Sequence, residues 1–208
     1  MLQSLTDLMM VDYISRKTLG PATGPLVFTF HGTGGDENQF HGFTEQVLPQ
    51  ATIVSPRGDV SENGAARYFR RTGEGVYDMA DLGMRTEQMA TFLADTKARY
   101  ARPRTIGLGY SNGANILASV MTRYPDIFDA VVLLHPLIPW EPDPHPVLAG
   151  KRVLITAGRK DPICPAPMTD RLHRYFERQD ARTQLHWHPG GHEIDNSELI
   201  ALRHFLTE

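Results

Sequence analysis

A single cysteine, Cys164, in a chain of 208 residues excludes an internal disulfide framework and a Cys-rich zinc site. A reducing compartment is compatible with that usage. Long apolar runs are also scarce. The longest, near residues 131–140, is broken by His135, Pro136 and Pro139, so it is too short and too interrupted to span a bilayer. There is no basic block to neutralise nucleic-acid phosphates and no acidic tail: 21 Lys and Arg mix with 24 Asp and Glu for a formal net charge of −3. Residues 1–17 carry Asp7 and Asp12 and no basic leader before an apolar stretch, so they do not read as a secretory signal. No internal repeat or low-complexity segment is evident. With 41% hydrophobic and 22% charged residues, the chain is expected to be one globular domain over residues 1–208, soluble and cytoplasmic, without membrane insertion or a nucleic-acid partner.

What is present is an alternation of short apolar runs with amphipathic stretches. Residues 26–31, 52–55, 105–110, 130–135, 153–157 and 183–188 read as strands. Most are continuously apolar and rich in Val, Ile, Leu and Phe, as strands buried on both faces should be. Residues 11–18 alternate more and are expected to form an antiparallel edge strand. Helices are expected over residues 36–48, capped by Asp36 with Gln39 at the capping-box position, and over 78–100, 112–124, 165–179 and 193–206. Such alternation implies an α/β fold: a mainly parallel sheet between two helical layers, with ligands bound beyond the carboxyl ends of the strands. Residues 57–76 and 136–150, the latter with five prolines and Trp140, are irregular and follow strand ends. Both could wall a pocket, and neither is long enough for a large cap domain.

Gly109-Tyr110-Ser111-Asn112-Gly113 matches G-x-S-x-G and lies between a strand and a helix, where the mechanics of that motif require it. A serine in so sharp a turn has a strained backbone, and its neighbours two residues away must be small, hence the glycines. The turn exposes the hydroxyl above the sheet and leaves the Asn112 N–H at a helix N-terminus, where it can hold an oxyanion. The competing reading makes Ser111 an ordinary N-cap between two turn glycines.

His31-Gly32-Thr33-Gly34-Gly35-Asp36 closes the first parallel strand. Its glycines free backbone N–H groups to face a ligand, and the Thr33 N–H is the expected second oxyanion donor beside Asn112. A phosphate loop is the rival, but the run lacks a G-K-[ST] ending and G-x-G-x-x-G spacing. His31 reads as a brace for this loop, although a catalytic base is the alternative.

A serine nucleophile of this kind is followed in chain order by an acid and then a histidine. Asp161, in the turn after strand 153–157, fits the acid. Asp129, Asp143, Asp170 and Asp180 compete but lie at the wrong end of a strand, in the proline-rich loop, or on a helix and its exit. His192, in the glycine-rich loop after strand 183–188, fits the base, taking the serine proton while Asp161 holds its tautomer. His186 and His188 share a strand face and could suggest a metal pair, but no third ligand is evident nearby, so a sheet surface is expected and no metal or cofactor. His135 ends a strand and could reach the pocket. His41, His145, His173 and His204 read as surface or packing residues, and the lone thiol of Cys164 as packing.

Together these motifs resemble the α/β-hydrolase superfamily. More closely, they resemble the small phospholipase/carboxylesterase family and its bacterial, hydroquinone-associated, esterase-like subgroup. The resemblance runs from about Val27 to the C-terminus and also rests on Ser55-Pro56-Arg57-Gly58 and residues 67–71. It implies a compact serine hydrolase without a large cap, acting on carboxylic esters and sometimes thioesters, often as a homodimer. Acyl-protein thioesterase relatives have leucine where this chain has Thr33, which weakens any inference of long-chain specificity. Phe40, Phe69, Leu137, Ile138, Trp140 and Ile163 follow strand ends and are candidates for the substrate wall, with core packing as the alternative. Arg70 and Arg71 could meet an anionic substrate or simply be solvated. The expected function is carboxylesterase chemistry on a small-molecule ester through an acyl-enzyme. Thioesterase or acyltransferase activity with the same triad is the alternative, and a non-catalytic binding protein on this fold is a third.

Overall fold

The computed structural model describes residues 12–208. In chain order the elements are β1 (Ser15–Thr18), β2 (Leu26–Phe30), α1 (His41–Val47), β3 (Thr52–Pro56), β4 (Val60–Glu62), β5 (Ala65–Arg67), β6 (Arg71–Gly73), β7 (Val76–Tyr77) and α2 (Met79–Tyr100). They continue with β8 (Thr105–Tyr110), α3 (Asn112–Arg123), β9 (Ala130–Leu134), β10 (Arg152–Gly158), α4 (Ala166–Arg178), β11 (Arg182–His188) and α5 (Asn196–Thr207). Seven strands form one sheet in the order β1-β3-β2-β8-β9-β10-β11. Only β1 is antiparallel. The expected α/β architecture is therefore present, a mostly parallel sheet flanked by helices with no large cap.

The apolar runs become central strands because both faces are covered. Every residue of β2, β3 and β9 is buried. One core layer packs Phe28, Phe30, Leu117, Val120 and Phe128, and the other packs Val27, Ile53, Leu108, Leu202 and Phe205. Helix α3 lies tight on the sheet, buried from Asn112 to Thr122. Gly107 permits that approach, since a Cβ there would stand 2.7 Å from the Leu117 side chain. Close seating of α3 also fixes the position of Ser111, its N-cap residue.

Three details depart from the expected elements. Val11, the first residue of the expected edge strand, lies outside the described residues, and β1 begins at Ser15. Helix α1 begins only at His41, with Phe40 at its cap and no side-chain cap bond. Asp36 instead accepts from the Asn38 N–H, and the Gln39 Oε1 accepts the Gly32 N–H at 2.8 Å. The free donors of the glycine loop thus take the side chain that the capping box would have used. Residues 57–76 are not irregular: β4 pairs with β5 and β6 with β7 as two short hairpins. The first turns on Asn63-Gly64, both at positive φ (51° and 89°), as a tight hairpin requires. Among the described residues no helix is long and apolar enough to cross a membrane.

Candidate active site

Ser111 stands between β8 and α3 at φ 52°, ψ −117°, a conformation rare for any residue but glycine. The glycines around it are required by contact. A Cβ on Gly109 would lie 2.6 Å from the Gly113 carbonyl oxygen, and one on Gly113 2.5 Å from the His31 and Phe30 carbonyl oxygens. The Ser111 N–H donates to the Leu134 carbonyl at 2.8 Å, tying the turn to the neighbouring strand. The side chain of Ser111 makes no cap bond, so its hydroxyl is free for another partner.

That partner is His192. Its Nε2 lies 2.8 Å from Ser111 Oγ, and its Nδ1 lies 2.7 Å from Asp161 Oδ2. Asp161 is buried in the turn after β10. Its Oδ1 accepts the N–H groups of Ile163 and Cys164 at 2.8 and 2.9 Å. Burial opposes its ionisation, yet hydrogen bonds from His135, His192 and Cys164 hold its carboxyl well below the usual range. The loop carrying His192 is pinned by Tyr110, whose hydroxyl donates to the His192 carbonyl at 2.7 Å. Burial, with the charges of Asp161 and Glu198 adding to it, pushes the Tyr110 phenol up to about 12, so it stays a donor.

The glycine loop after β2 supplies the other half of the site. Its Gly32 N–H goes to Gln39, Gly34 N–H to the Ala66 carbonyl, and Gly35 N–H to the Gly32 carbonyl. Among the described residues, the Thr33 and Asn112 N–H groups donate to no other protein group. Thr33 and Asn112 line one cleft with Ser111 and His192. The loop is braced from beneath by His31, whose Nδ1 bonds the Gly32 carbonyl at 2.7 Å and whose Nε2 accepts the Gly58 N–H at 2.9 Å. Burial lowers its pKa, and both ring nitrogens face backbone, so His31 is no base for this cleft. Arg67, nearly fully buried, adds a bond from Nη1 to Thr33 Oγ1 at 2.6 Å and an ion pair to Glu62.

The cleft encloses about 230 Å³. Leu137 and Ile163 line it as expected, together with Arg67, Arg71, Glu74, Tyr77 and Asn115. Four expected wall residues lie elsewhere. Phe40 is buried and packs edge-on against Tyr110 from the other core layer. Phe69 is buried against Tyr77 and the Arg67 guanidinium. Ile138 packs in the core, and Trp140 lines a separate surface groove with Met79 and Leu82. Phe40, Phe69 and Ile138 thus find dry packing first. Arg71 faces the cleft while pairing with Glu62 at 2.9 Å; Arg70 is largely exposed and pairs with Asp78. Cys164 lines the cleft, but burial pushes its thiol up and away from the reactive thiolate.

Several residues here were not singled out by their sequence. Asn115, one turn after Ser111, accepts the Leu137 N–H and donates to the Tyr77 hydroxyl, both at 2.7 Å, and so braces the wall; its i+4 spacing from Ser111 is the signal that could have marked it. His135 is fully buried and does not reach the cleft. Its Nδ1 lies 2.8 Å from Asp161 Oδ2 instead. Nor does His188 sit on the sheet surface: it is buried beside His135 and Glu198, because α5 closes over the end of β11. His135, His188 and Glu198 each bring one potential ligand atom within 4.8 Å of the others, so the third ligand not evident in the sequence stands beside His188 and not beside the His186–His188 pair. His186 bonds Ser197, and His41 is buried against Ser55.

The chain is similar to proteins that include a hydrolase and a carboxylesterase. MhqD of Bacillus subtilis (strain 168), an inferred hydrolase, is 36% identical over 185 residues, 88% of this chain and 92% of its own. The structure of a protein of unknown function from Agrobacterium tumefaciens superposes with a TM-score of 0.90 at 53% identity, covering 96% of this chain and 98% of that one. A Bacillus cereus carboxylesterase superposes with a TM-score of 0.87 at 34% identity, covering 97% and 95%. The Dienelactone hydrolase family matches residues 67–197, a stretch that holds Ser111, Asp161 and His192, and the chain belongs to that family of α/β-hydrolases.

Proposed function

We propose that this protein hydrolyses carboxylic esters through a Ser111-His192-Asp161 triad and an acyl-enzyme, with the Thr33 and Asn112 N–H groups as the oxyanion hole. The observation that carries the reading is the unbroken line from Ser111 Oγ through His192 to Asp161, set beside two unengaged backbone donors. Ser111 Oγ attacks the ester carbonyl as its proton passes to His192 Nε2. The carbonyl electron pair moves onto oxygen, where the two N–H groups receive it. Collapse breaks the bond to the alkoxy oxygen, which leaves as the alcohol with the proton from His192. Water then gives a proton to His192 and attacks the acyl carbon, and Ser111 regains the proton as the carboxylic acid departs.

The cleft's modest volume and its Arg67, Arg71 and Glu74 lining favour small, polar esters over long acyl chains. A fluorophosphonate probe should label Ser111 in the folded protein, and p-nitrophenyl acetate should be turned over. Absence of both label and turnover would remove the proposal. A preference for thioesters over matched oxygen esters, or transfer to added alcohols, would replace hydrolysis of esters with the corresponding activity of the same triad.

A further inference from the structure

Behind Asp161 lies a second set of charged groups that a three-residue triad does not use. His135 directly follows β9 at φ 50°, a backbone conformation that residues other than glycine rarely adopt. Strain of that kind persists where surrounding contacts hold it. Here the contacts are two carboxylates on opposite sides of one imidazole. Nδ1 bonds Asp161 Oδ2 at 2.8 Å, the same oxygen that His192 contacts. Nε2 lies 3.1 Å from Glu198 Oε1, close enough for an ion pair although off the line of a hydrogen bond. His135, Asp161 and Glu198 all have fully buried side chains.

We propose that His135 is a positioning residue of the hydrolase: an imidazolium held between Asp161 and Glu198 that neutralises one of two buried carboxylates and so sets the charge against which His192 receives the serine proton. The proposal rests on the triad reading above. Two carboxylates and one imidazolium leave the resting cluster with a single negative charge, and proton transfer to His192 brings it to neutrality. With a neutral His135 the resting cluster would hold two buried negative charges, and His192 would be stabilised as an imidazolium before any substrate arrived. The second effect is orientation. Two ring N–H groups fill Oδ2 of Asp161 and two backbone N–H groups fill Oδ1, so the carboxylate has no freedom to turn.

Every other charged or titratable neighbour fits this assignment. His188 faces His135 from β11 with ring centroids 5.4 Å apart, and its Nε2 is 3.4 Å from Glu198 Oε2. The His188 Nδ1 accepts the Gly190 N–H, so that nitrogen carries no proton. From α5, Glu198 also accepts the Thr156 hydroxyl and the Asp195 N–H, which fixes it as a carboxylate. The neutral Tyr110 ring stands edge-on at 5.8 Å from β8, and the Cys164 thiol donates to the His135 carbonyl. Glu193, exposed on the His192 loop, adds one more negative charge at longer range. Burial works against protonation of His135, but the hydrogen bond to Asp161 and the attraction of Asp161 and Glu198 outweigh it and raise its pKa to about 9.

Histidine side-chain NMR of the whole protein at pH 7.5, assigned by comparison with H135N, tests the charge directly. Both His135 ring nitrogens should show imidazolium shifts. A neutral tautomer, or a metal-bound nitrogen that EDTA releases, would overturn the proposal. The kinetic test uses p-nitrophenyl acetate. In H135N the acid limb of kcat/KM should move up by about one pH unit, and the double variant H135N/E198Q should return at least half of that shift. A lower melting temperature with an unmoved acid limb would mean that His135 only packs. If the wild type neither hydrolyses esters nor takes the fluorophosphonate label, the ester reading fails while the NMR result still decides the protonation of His135.

Discussion

The two nitrogens of His192 face opposite kinds of surroundings. Nε2 meets Ser111 in an open cleft, and there position is enforced by backbone: a strained φ, two glycines that no other residue can replace, and free N–H groups. Nδ1 meets Asp161 at the edge of a dry cluster, and there position is enforced by charge, through His135 and Glu198. On the proposed reading, strain presents the attacking oxygen and buried electrostatics hold the base. The two sides should therefore fail differently when they are cut.

The sharpest contrast comes from the members of the triad. Ser111→Ala should lower kcat/KM by on the order of 10⁴ or more. Because the one bond lost is that to His192 at the cleft, the melting temperature should hardly fall, and Ser111→Gly should raise it by relieving the positive φ. Asp161→Asn should lower kcat by about 10⁴, but it also leaves buried imidazoles without their acceptor, at a cost of about 3 kcal/mol in stability. Thermal unfolding beside steady-state kinetics separates the two. Equal destabilisation by the Ser111 and Asp161 variants would erase the contrast.

The pH dependence of stability is the next largest effect. The pKa of His135 is raised by folding from its ordinary 6.5 to about 9, so its stabilisation is full below 6.5 and is lost as pH rises through 9. Asp161 and Glu198 are held below their ordinary 3.8 and 4.5, so their stabilisation is present above those values and is lost as pH falls. The stability contributed by this cluster should thus be greatest between about pH 4.5 and 6.5, read as the difference in melting temperature between wild type and H135N, which should shrink as pH rises through 9; buried His31 and His41, whose pKa values folding lowers, act in both proteins alike. A smaller effect is expected at the pin of the base loop. Tyr110→Phe removes one hydrogen bond to the His192 carbonyl, worth about 1 kcal/mol, and should lower kcat/KM about fivefold without shifting its pH profile.

The same division explains what could be read in the chain. Ser111 and its glycines lie within five consecutive residues, and the loop around Thr33 within six, so spacing alone carries their geometry. The strands and their order of use were legible because both-face burial leaves continuous apolar runs. The cluster behind Asp161 gathers residues 135, 161, 188 and 198 from the ends of three neighbouring strands and from one helix, and no spacing rule links them. Glu198 is also disguised, since it completes a capping box with Asp195 at the start of α5 and has a sufficient local reason to be there. The pocket failed for a related cause. Large apolar residues after strands suggest walls, yet the core claims Phe40, Phe69 and Ile138, and Leu137 and Ile163 share the cleft with Arg67, Arg71, Tyr77 and Asn115. The Asn63-Gly64 turn was a readable hairpin signal, masked by flanking strands too short and too polar to show a period.

The most direct test of the account is intact-protein and peptide mass spectrometry after rapid acid quench of a p-nitrophenyl acetate reaction. The account predicts the added mass of one acetyl group on the peptide carrying Ser111, absent from Ser111→Ala. Steady turnover with the acetyl group on another residue, or turnover that persists unchanged in Ser111→Ala, would contradict it.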